Sequence, residues 1–265
     1  MKKWQIFEKE CESYLSKIIT SNIKIELIGG SNSKESDIQI TTTKGTKFFI
    51  EIKMSPAQCG QFVLYPNLKT KKFEYSSKNI HHINVFSKMI IEYMNCFFSE
   101  FYSASTRGKL ILFDGHESIF ANWIKQAYSV KNVKYFIIND FIIVPIQEFE
   151  KAFFITAKYR VKRSGSSNVS LKNMKNLIDF LTTNFKELQS FKISKNKLFV
   201  TTDKNIDKKR FVFQDNNYIV AKREENYEIR KLAKTCNANV IFSIVKKPSY
   251  KGITKEEFLA QINSY

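Results

Sequence analysis

The sequence predicts a mixed fold, α/β or α+β, in which a mixed central β-sheet is flanked by helices. Three observations predict it: an amphipathic helical pattern opens the chain, a tight hairpin follows, and helix and strand patterns then alternate through the 265 residues.

Trp4, Phe7, Cys11, Tyr14, Leu15 and Ile18 recur at spacings of three and four, which places a helix over residues 3–20. A strand over 23–28 and the loop "GGSNSKES" lead to the hairpin in "SDIQITTTKGTKFFIEIKMS", residues 36–55. Its register follows from Gly45. A three-residue loop of Thr43, Lys44 and Gly45, closed by a glycine in the left-handed region, sets Thr42 opposite Thr46, Ile40 opposite Phe48 and Ile38 opposite Ile50. Asp37 then falls opposite Glu51, with Lys53 two residues along the same face, while Ile38, Ile40, Phe48, Ile50 and Ile52 form the apolar face.

Pro56 ends this strand region, and "LKTKKFEYSSKN" reads as a polar, basic excursion. A second helix follows, with Ile83, Phe86, Met89, Ile90, Tyr93, Phe97 and Phe101 on its apolar face. Strands are expected at 109–113 and 135–144 around a helix at 117–127. Further on come a strand at 152–163, a helix at 170–188 and strands near 197–202, 210–214 and 217–222. "YEIRKLAKTCNANVIFSIV" reads as helix, Asn-rich turn and buried strand, and Thr254 with Glu257 forms a capping box for a last short helix.

Composition narrows the function classes. A hydrophobic fraction of 43% supports a substantial core, and 43 Lys and Arg against 25 Asp and Glu leave a net charge of +18, which suits a polyanionic partner. No apolar stretch of membrane-spanning length, signal segment or lipidation motif is present, so a cytoplasmic protein without a membrane partner is expected. Cys11, Cys59, Cys96 and Cys236 are scattered, and His81, His82 and His116 are the only histidines. That pattern disfavours a zinc site and a histidine-based nuclease, and the thiols are expected to be reduced. Walker A and dinucleotide fingerprints are absent.

Two carboxylates held a few ångströms apart repel unless a proton or a cation lies between them. Oxygen ligands suit Mg²⁺, and a neighbouring lysine can orient water or stabilise charge developing on a phosphate. Ser36-Asp37, thirteen residues, then Glu51-Ile52-Lys53 on a strand, with a helix before and a helix after, resembles the PD-(D/E)xK nuclease superfamily, most nearly its type II restriction endonucleases. Ser36 stands where that family's name has proline, a position that varies. The resemblance covers residues 3–101. It implies that Asp37 and Glu51 bind catalytic Mg²⁺, that Ile52 adds its backbone carbonyl, and that Lys53 assists the attacking water. Some members add an acidic residue from the first helix and a glutamine after the lysine, for which Glu8, Glu12, Glu26, Gln58 and Gln61 are the candidates.

"AKYRVKRSGSSNVS", residues 157–170, is a second informative stretch, because Lys158, Arg160 and Lys162 share one face of an extended strand. Arg163, Ser164, Ser166, Ser167 and Asn168 follow around Gly165, ahead of a helix whose N-terminus favours anions. These eight residues are the candidate DNA contacts; a charged edge strand guarded against aggregation is the other reading. The sequence thus points to one domain over 1–265, with a catalytic core at 1–146 and integrated DNA-recognition elements at 147–265. Its expected activity is Mg²⁺-dependent hydrolysis of double-stranded DNA at a short specific sequence by a homodimer. A structure-specific repair nuclease and a non-catalytic nucleic-acid-binding protein fit the same residues.

Overall fold

Gly45 adopts φ +81°, its N–H donates to the Thr42 carbonyl at 2.9 Å, and Thr42 N–H donates to Thr46 O at 2.9 Å. The two strands it joins pair Ile38 with Ile50 and Ile40 with Phe48, the register deduced from the turn. The computed structural model describes residues 2–19, 22–29, 36–105, 107–163, 165–232 and 236–265, with the side chains of 161–163, 236 and 237 left out.

The elements run α1 (Lys3–Ile18), β1 (Lys24–Leu27), β2 (Ile38–Thr41), β3 (Lys47–Lys53), β4 (Ala57–Asn67), β5 (Lys72–Tyr75), α2 (Val85–Cys96) and α3 (Phe98–Tyr102). Then come β6 (Lys109–Ile111), α4 (His116–Ser129), β7 (Val133–Ile138), β8 (Ile142–Pro145), α5 (Phe149–Ala152), β9 (Phe153–Arg163), β10 (Ser166–Asn168) and α6 (Leu171–Asn184). The chain ends with β11 (Ser190–Ser194), β12 (Lys197–Thr201), β13 (Arg210–Phe213), β14 (Asn216–Arg223), β15 (Asn226–Leu232), β16 (Cys236–Lys246) and α7 (Lys255–Ser264). Two units result: Met1–Val161 with Ala238–Tyr265, and Lys162–Asn237.

The first unit holds two five-stranded sheets. One runs β1-β2-β3-β7-β8, and its β3–β7 pair is parallel while its other pairs are antiparallel, which makes it the mixed sheet expected. Alternation along β3 splits its side chains between two cores. Phe48, Ile50 and Ile52 join Phe7, Cys11, Leu15 and Ile18 of α1 and Phe258 and Ile262 of α7, whereas Phe49 packs on the opposite core beneath α4. The second sheet runs β5-β4-β16-β9-β6. In α7 the capping box is present: Thr254 Oγ1 accepts from Glu257 N–H at 3.1 Å, and Glu257 Oε2 accepts from Thr254 N–H at 2.7 Å.

The second unit is one antiparallel sheet, β11-β12-β15-β14-β13, with β10 pairing alongside β15. Met174, Leu177 and Leu181 of α6 pack on Leu198, Val200, Tyr218 and Ile229.

Four expectations are corrected. The strand expected at 135–144 is the antiparallel pair β7–β8, because Asp140 and Phe141 turn the chain at φ 63° and 56°. β4 is an eleven-residue strand in place of a break after Pro56, and part of the basic excursion is β5. Gly60 at φ +89° and a register shift opposite Ile241/Ser243 interrupt the two-residue period of β4, so no alternation marks it. The second helix begins after Ile83, stops at Cys96 and restarts as α3; Ile83, Met89 and Phe97 are exposed, while Ile91 and Phe98 are buried. Residues 226–232 form β15, not a helix: Tyr227 and Ile229 alternate into the core, and pairing with β12 and β14 overrides the helix propensity of Glu, Arg, Lys and Leu.

Replacement of Gly45 by Val isolates the turn's backbone requirement. A Cβ there meets nothing within 4 Å, so the expected loss of about 1–2 kcal/mol comes from the left-handed conformation itself. Urea unfolding of Gly45→Val and Gly45→Asn measures it; Asn tolerates that conformation and should lose less.

Candidate active site

β2 and β3 deliver the acidic pair. Asp37, just before β2, accepts a hydrogen bond on Oδ2 from Ile52 N–H at 2.7 Å, so its carboxylate lies across the end of β3. Its carbonyl accepts from Ile28 and Gly29 N–H at 2.9 and 2.8 Å. Gly29 permits that approach, because a Cβ there would lie 3.1 Å from both Asp37 Cα and Oδ1. On β3, Lys53 Nζ donates to Glu51 Oε1 at 2.6 Å, and the Tyr128 hydroxyl of α4 donates to the same oxygen at 3.4 Å. One oxygen of each carboxylate is thereby engaged, Asp37 Oδ2 and Glu51 Oε1. Among the described residues, Asp37 Oδ1 and Glu51 Oε2 take no hydrogen bond.

Asp37, Glu51 and Lys53 face one cavity of about 510 Å³, whose walls include Trp4 and Glu8 of α1, Gln58 and Gln61 of β4, and Tyr128 and Lys131 at the end of α4. A smaller hollow of about 300 Å³ on the same site is lined by Phe7, Ile52 and Met54 among others. Burial and the neighbouring Glu51 carboxylate push the Asp37 carboxyl up to about 7, against the opposing pull of Lys53 and the Ile52 N–H. Burial raises Glu8 as well, with Lys53 opposing and Glu51 adding to the rise. Burial alone would lower Lys53, but the carboxylate of Glu51 beside it leaves the ammonium held more firmly than usual. Behind the site, burial keeps Cys59 protonated, its pKa pushed up to about 12, and Cys59 and the Tyr128 hydroxyl share a hydrogen bond.

The structure therefore brings together Asp37, Glu51 and Lys53, and of the further candidates it adds Glu8, Gln58 and Gln61 to the cavity wall. Glu26 instead pairs with Lys24 at 2.7 Å and accepts from Gln39 at 3.3 Å, and Glu12 does not line the cavity. Ser36 is buried, and its hydroxyl has no partner among the described residues. Sequence reasoning missed Tyr128, Lys131, His81 and Trp4. Tyr128 sits at core spacing in an apolar helix face, and nothing in its period distinguishes a hydroxyl aimed at Glu51 from one at the surface.

Of the eight candidate DNA contacts, Lys158 and Arg160 are exposed on one face of β9, alternating with buried Ala157 and Tyr159. β9 lies between β16 and β6, so the edge-strand reading does not apply to it. The side chains of Lys162 and Arg163, and all of Ser164, lie outside the described residues. The expected phosphate loop before α6 is in part a strand, β10: Ser166 Oγ accepts from Arg230 Nε at 2.6 Å and Asn168 Oδ1 from Arg230 Nη1 at 3.2 Å, while Ser167 is exposed. No helix among the described residues is long and apolar enough to cross a membrane, and they contain no cluster of three or more His, Cys, Asp or Glu suited to a metal.

Paired carboxylates and a lysine stand at the end of a hairpin in a mixed sheet with helices on both faces, and the architecture matches a restriction-endonuclease fold. A solved structure of HhaI endonuclease in complex with DNA is similar to this chain throughout, with 37% identity, 100% of each chain covered and a TM-score of 0.67. The chain belongs to the HhaI endonuclease family. No protein-family model matches it, and no curated protein does.

The Asp37 carboxyl yields a pH prediction. Its pKa near 7 in the folded chain exceeds the unfolded value of about 3.9, so between those limits the folded state binds more protons and stability falls as pH rises. Without divalent cations, urea midpoints measured from pH 4 to pH 8 should decline for the wild type and flatten for Asp37→Asn. Equal slopes in the two proteins would contradict the assignment.

Proposed function

We propose that this protein is a Mg²⁺-dependent deoxyribonuclease of the type II restriction kind, which hydrolyses both strands of duplex DNA at a short specific sequence. The observation that carries the reading is the convergence of Asp37, Glu51 and Lys53 in one cavity, in a chain 37% identical to an endonuclease solved with DNA. A homodimer acting on a palindrome is part of the proposal, since two-fold protein symmetry matches two-fold DNA symmetry. The net charge of +18 supports a DNA-binding role, and a cytoplasmic location is part of the proposal.

The donor set fits a hard divalent cation. Burial first and the neighbouring Glu51 carboxylate second raise Asp37, and each carboxylate keeps one oxygen outside the hydrogen bonds just described. The carbonyl of Ile52 points to the same strand edge as its N–H, the edge that meets Asp37, and completes the set. When bound, Mg²⁺ supplies Lewis-acid polarisation of a phosphate oxygen and lowers the pKa of a bound water. Asp37 and Glu51 hold the cation, and Lys53 acts as a charge donor. Its ammonium, favoured by the Glu51 carboxylate, donates hydrogen bonds to a water or to the phosphate oxygens as negative charge builds. Tyr128 and Lys53 orient the Glu51 carboxylate.

Incubation with long duplex DNA and Mg²⁺, followed by sequencing of the fragment ends, tests the proposal. Discrete ends in one sequence context are expected; cleavage only at nicks, junctions or mismatches would return the repair-nuclease reading, and binding without cleavage the non-catalytic one. Asp37→Ala, Glu51→Ala and Lys53→Ala should each lose at least a hundredfold in rate, about 2.7 kcal/mol or more, while duplex binding survives. Normal cleavage by Glu51→Ala would refute the site.

Lys158 and Arg160 are proposed to meet DNA phosphates. Each contact removed by alanine substitution should flatten the plot of log affinity against log salt by roughly 0.9. Titrations at several salt concentrations check this, and an unchanged slope in both variants would remove β9 from the interface.

A further inference from the structure

Glu228 of β15 is fully buried, and two arginines meet it. Arg230 donates through Nη1 to Glu228 Oε1, while its Nε donates to Ser166 Oγ at 2.6 Å and its Nη2 to the Ser166 carbonyl; all three guanidinium nitrogens are engaged, and β10 is tied to β15. Arg223, at the end of β14, donates through Nε to Glu228 Oε2 at 2.7 Å, and its Nη2 lies 2.7 Å from the same oxygen. The side chain of Arg223 is nevertheless 49% exposed.

A buried carboxylate needs a cation beside it, and Arg230 already supplies one. Arg223 is surplus to neutralisation. Glu228 instead fixes its guanidinium plane and leaves the outer edge, Nη1 and the second N–H of Nη2, toward solvent; among the described residues the only further contact is Nη1 to Lys222 O at 3.5 Å. The fork stands at the tip of the β14–β15 hairpin, where Arg223 pairs with Asn226 across Glu224 and Glu225, beside a hollow of about 300 Å³ that also touches Phe199.

We propose that Arg223 reads the major-groove edge of a guanine, so that the β14–β15 hairpin tip is a sequence-reading element of this enzyme. The inference rests on the proposed function, in which duplex DNA is the substrate. A two-stranded β-ribbon fits the major groove, and a planar fork matches guanine O6 and N7. A fixed fork adds direction to charge, which phosphate attraction does not require. The turn chemistry favours bases over phosphates as well. Glu224 and Glu225 flank the fork and repel the backbone, whereas a carboxylate can accept from cytosine N4.

The test uses the full-length protein without divalent cations, on the duplex found by sequencing wild-type fragment ends and on its single-base-pair variants. Arg223→Ala should bind that duplex roughly ten- to a hundredfold more weakly, lose discrimination at one G·C pair, and keep its affinity for unrelated duplexes. Glu228 stays paired with Arg230 in this variant, and Arg223→Gln provides a second measurement that keeps polar bulk should the alanine lower the melting temperature. Arg223→Lys restores the charge without the fork and should leave discrimination impaired. Uniform weakening with a flatter salt dependence, rescued by Lys, would make Arg223 a phosphate contact and overturn base reading. Unchanged affinity and selectivity would overturn the proposal alone, with site-specific cleavage intact. A wild-type enzyme without sequence preference would overturn it together with the site-specific part of the proposed function.

Discussion

A single hydrogen bond, from Ile52 N–H to Asp37 Oδ2, joins the two halves of the carboxylate–lysine cluster. The Asp37 carbonyl is held from one side by Ile28 and Gly29 N–H, but on the β3 side Asp37 lies beyond the paired end of β2, so this bond substitutes a side chain for the next rung. It fixes one carboxylate against the strand that bears the other. Such a bond also favours the charged form, yet burial and Glu51 outweigh it and leave Asp37 with a raised proton affinity. The hairpin holds two negative charges together against their repulsion. Packing of Ile38, Ile50 and Ile52 on α1 and α7 supplies the opposing stabilisation, by burial of apolar area.

The same strand separates the stabilising groups from the chemical ones. Successive side chains of β3 point to opposite faces, so Ile50 and Ile52 fill one core while Glu51 and Lys53 line the cavity. A one-residue slip would bury both charges among the isoleucines, which makes the turn at Gly45 a determinant of the candidate active site as well as of the hairpin. Gly29, two residues past β1, contributes by admitting Asp37 where a Cβ would crowd it.

In the unit Lys162–Asn237 the buried charge is handled differently. Glu228 is met by two arginines, one spent on holding β10 and the other left with an open edge. The first unit keeps two carboxylates with one lysine paired to Glu51, and the second keeps one carboxylate with two arginines. Local charge is therefore suited to a cation in one and to an electron-rich ligand in the other. Both arrangements sit on sheets, where pairing fixes strand positions and limits the drift of the charged groups.

Local rules made part of this legible in the sequence. The Gly45 turn, period-two alternation in 38–52 and the capping box at Thr254 involve residues within about fifteen positions of one another, and their geometry follows from backbone sterics. Asp37, Glu51 and Lys53 were legible for the same reason, since register alone places them on one face. Tertiary structure decided what depends on distant partners. Tyr128 reaches Glu51 from 77 residues away, Arg230 claims Ser166 from 64 residues away, and β15 is a strand because β12, β14 and β10 flank it. The period of β4 was hidden by a glycine in the left-handed region, a local feature whose meaning depends on the strand opposite. Sequence by itself determined which residues share a face; only the packed chain determined which faces meet, because long-range pairing energy exceeds the local propensities that a short window records.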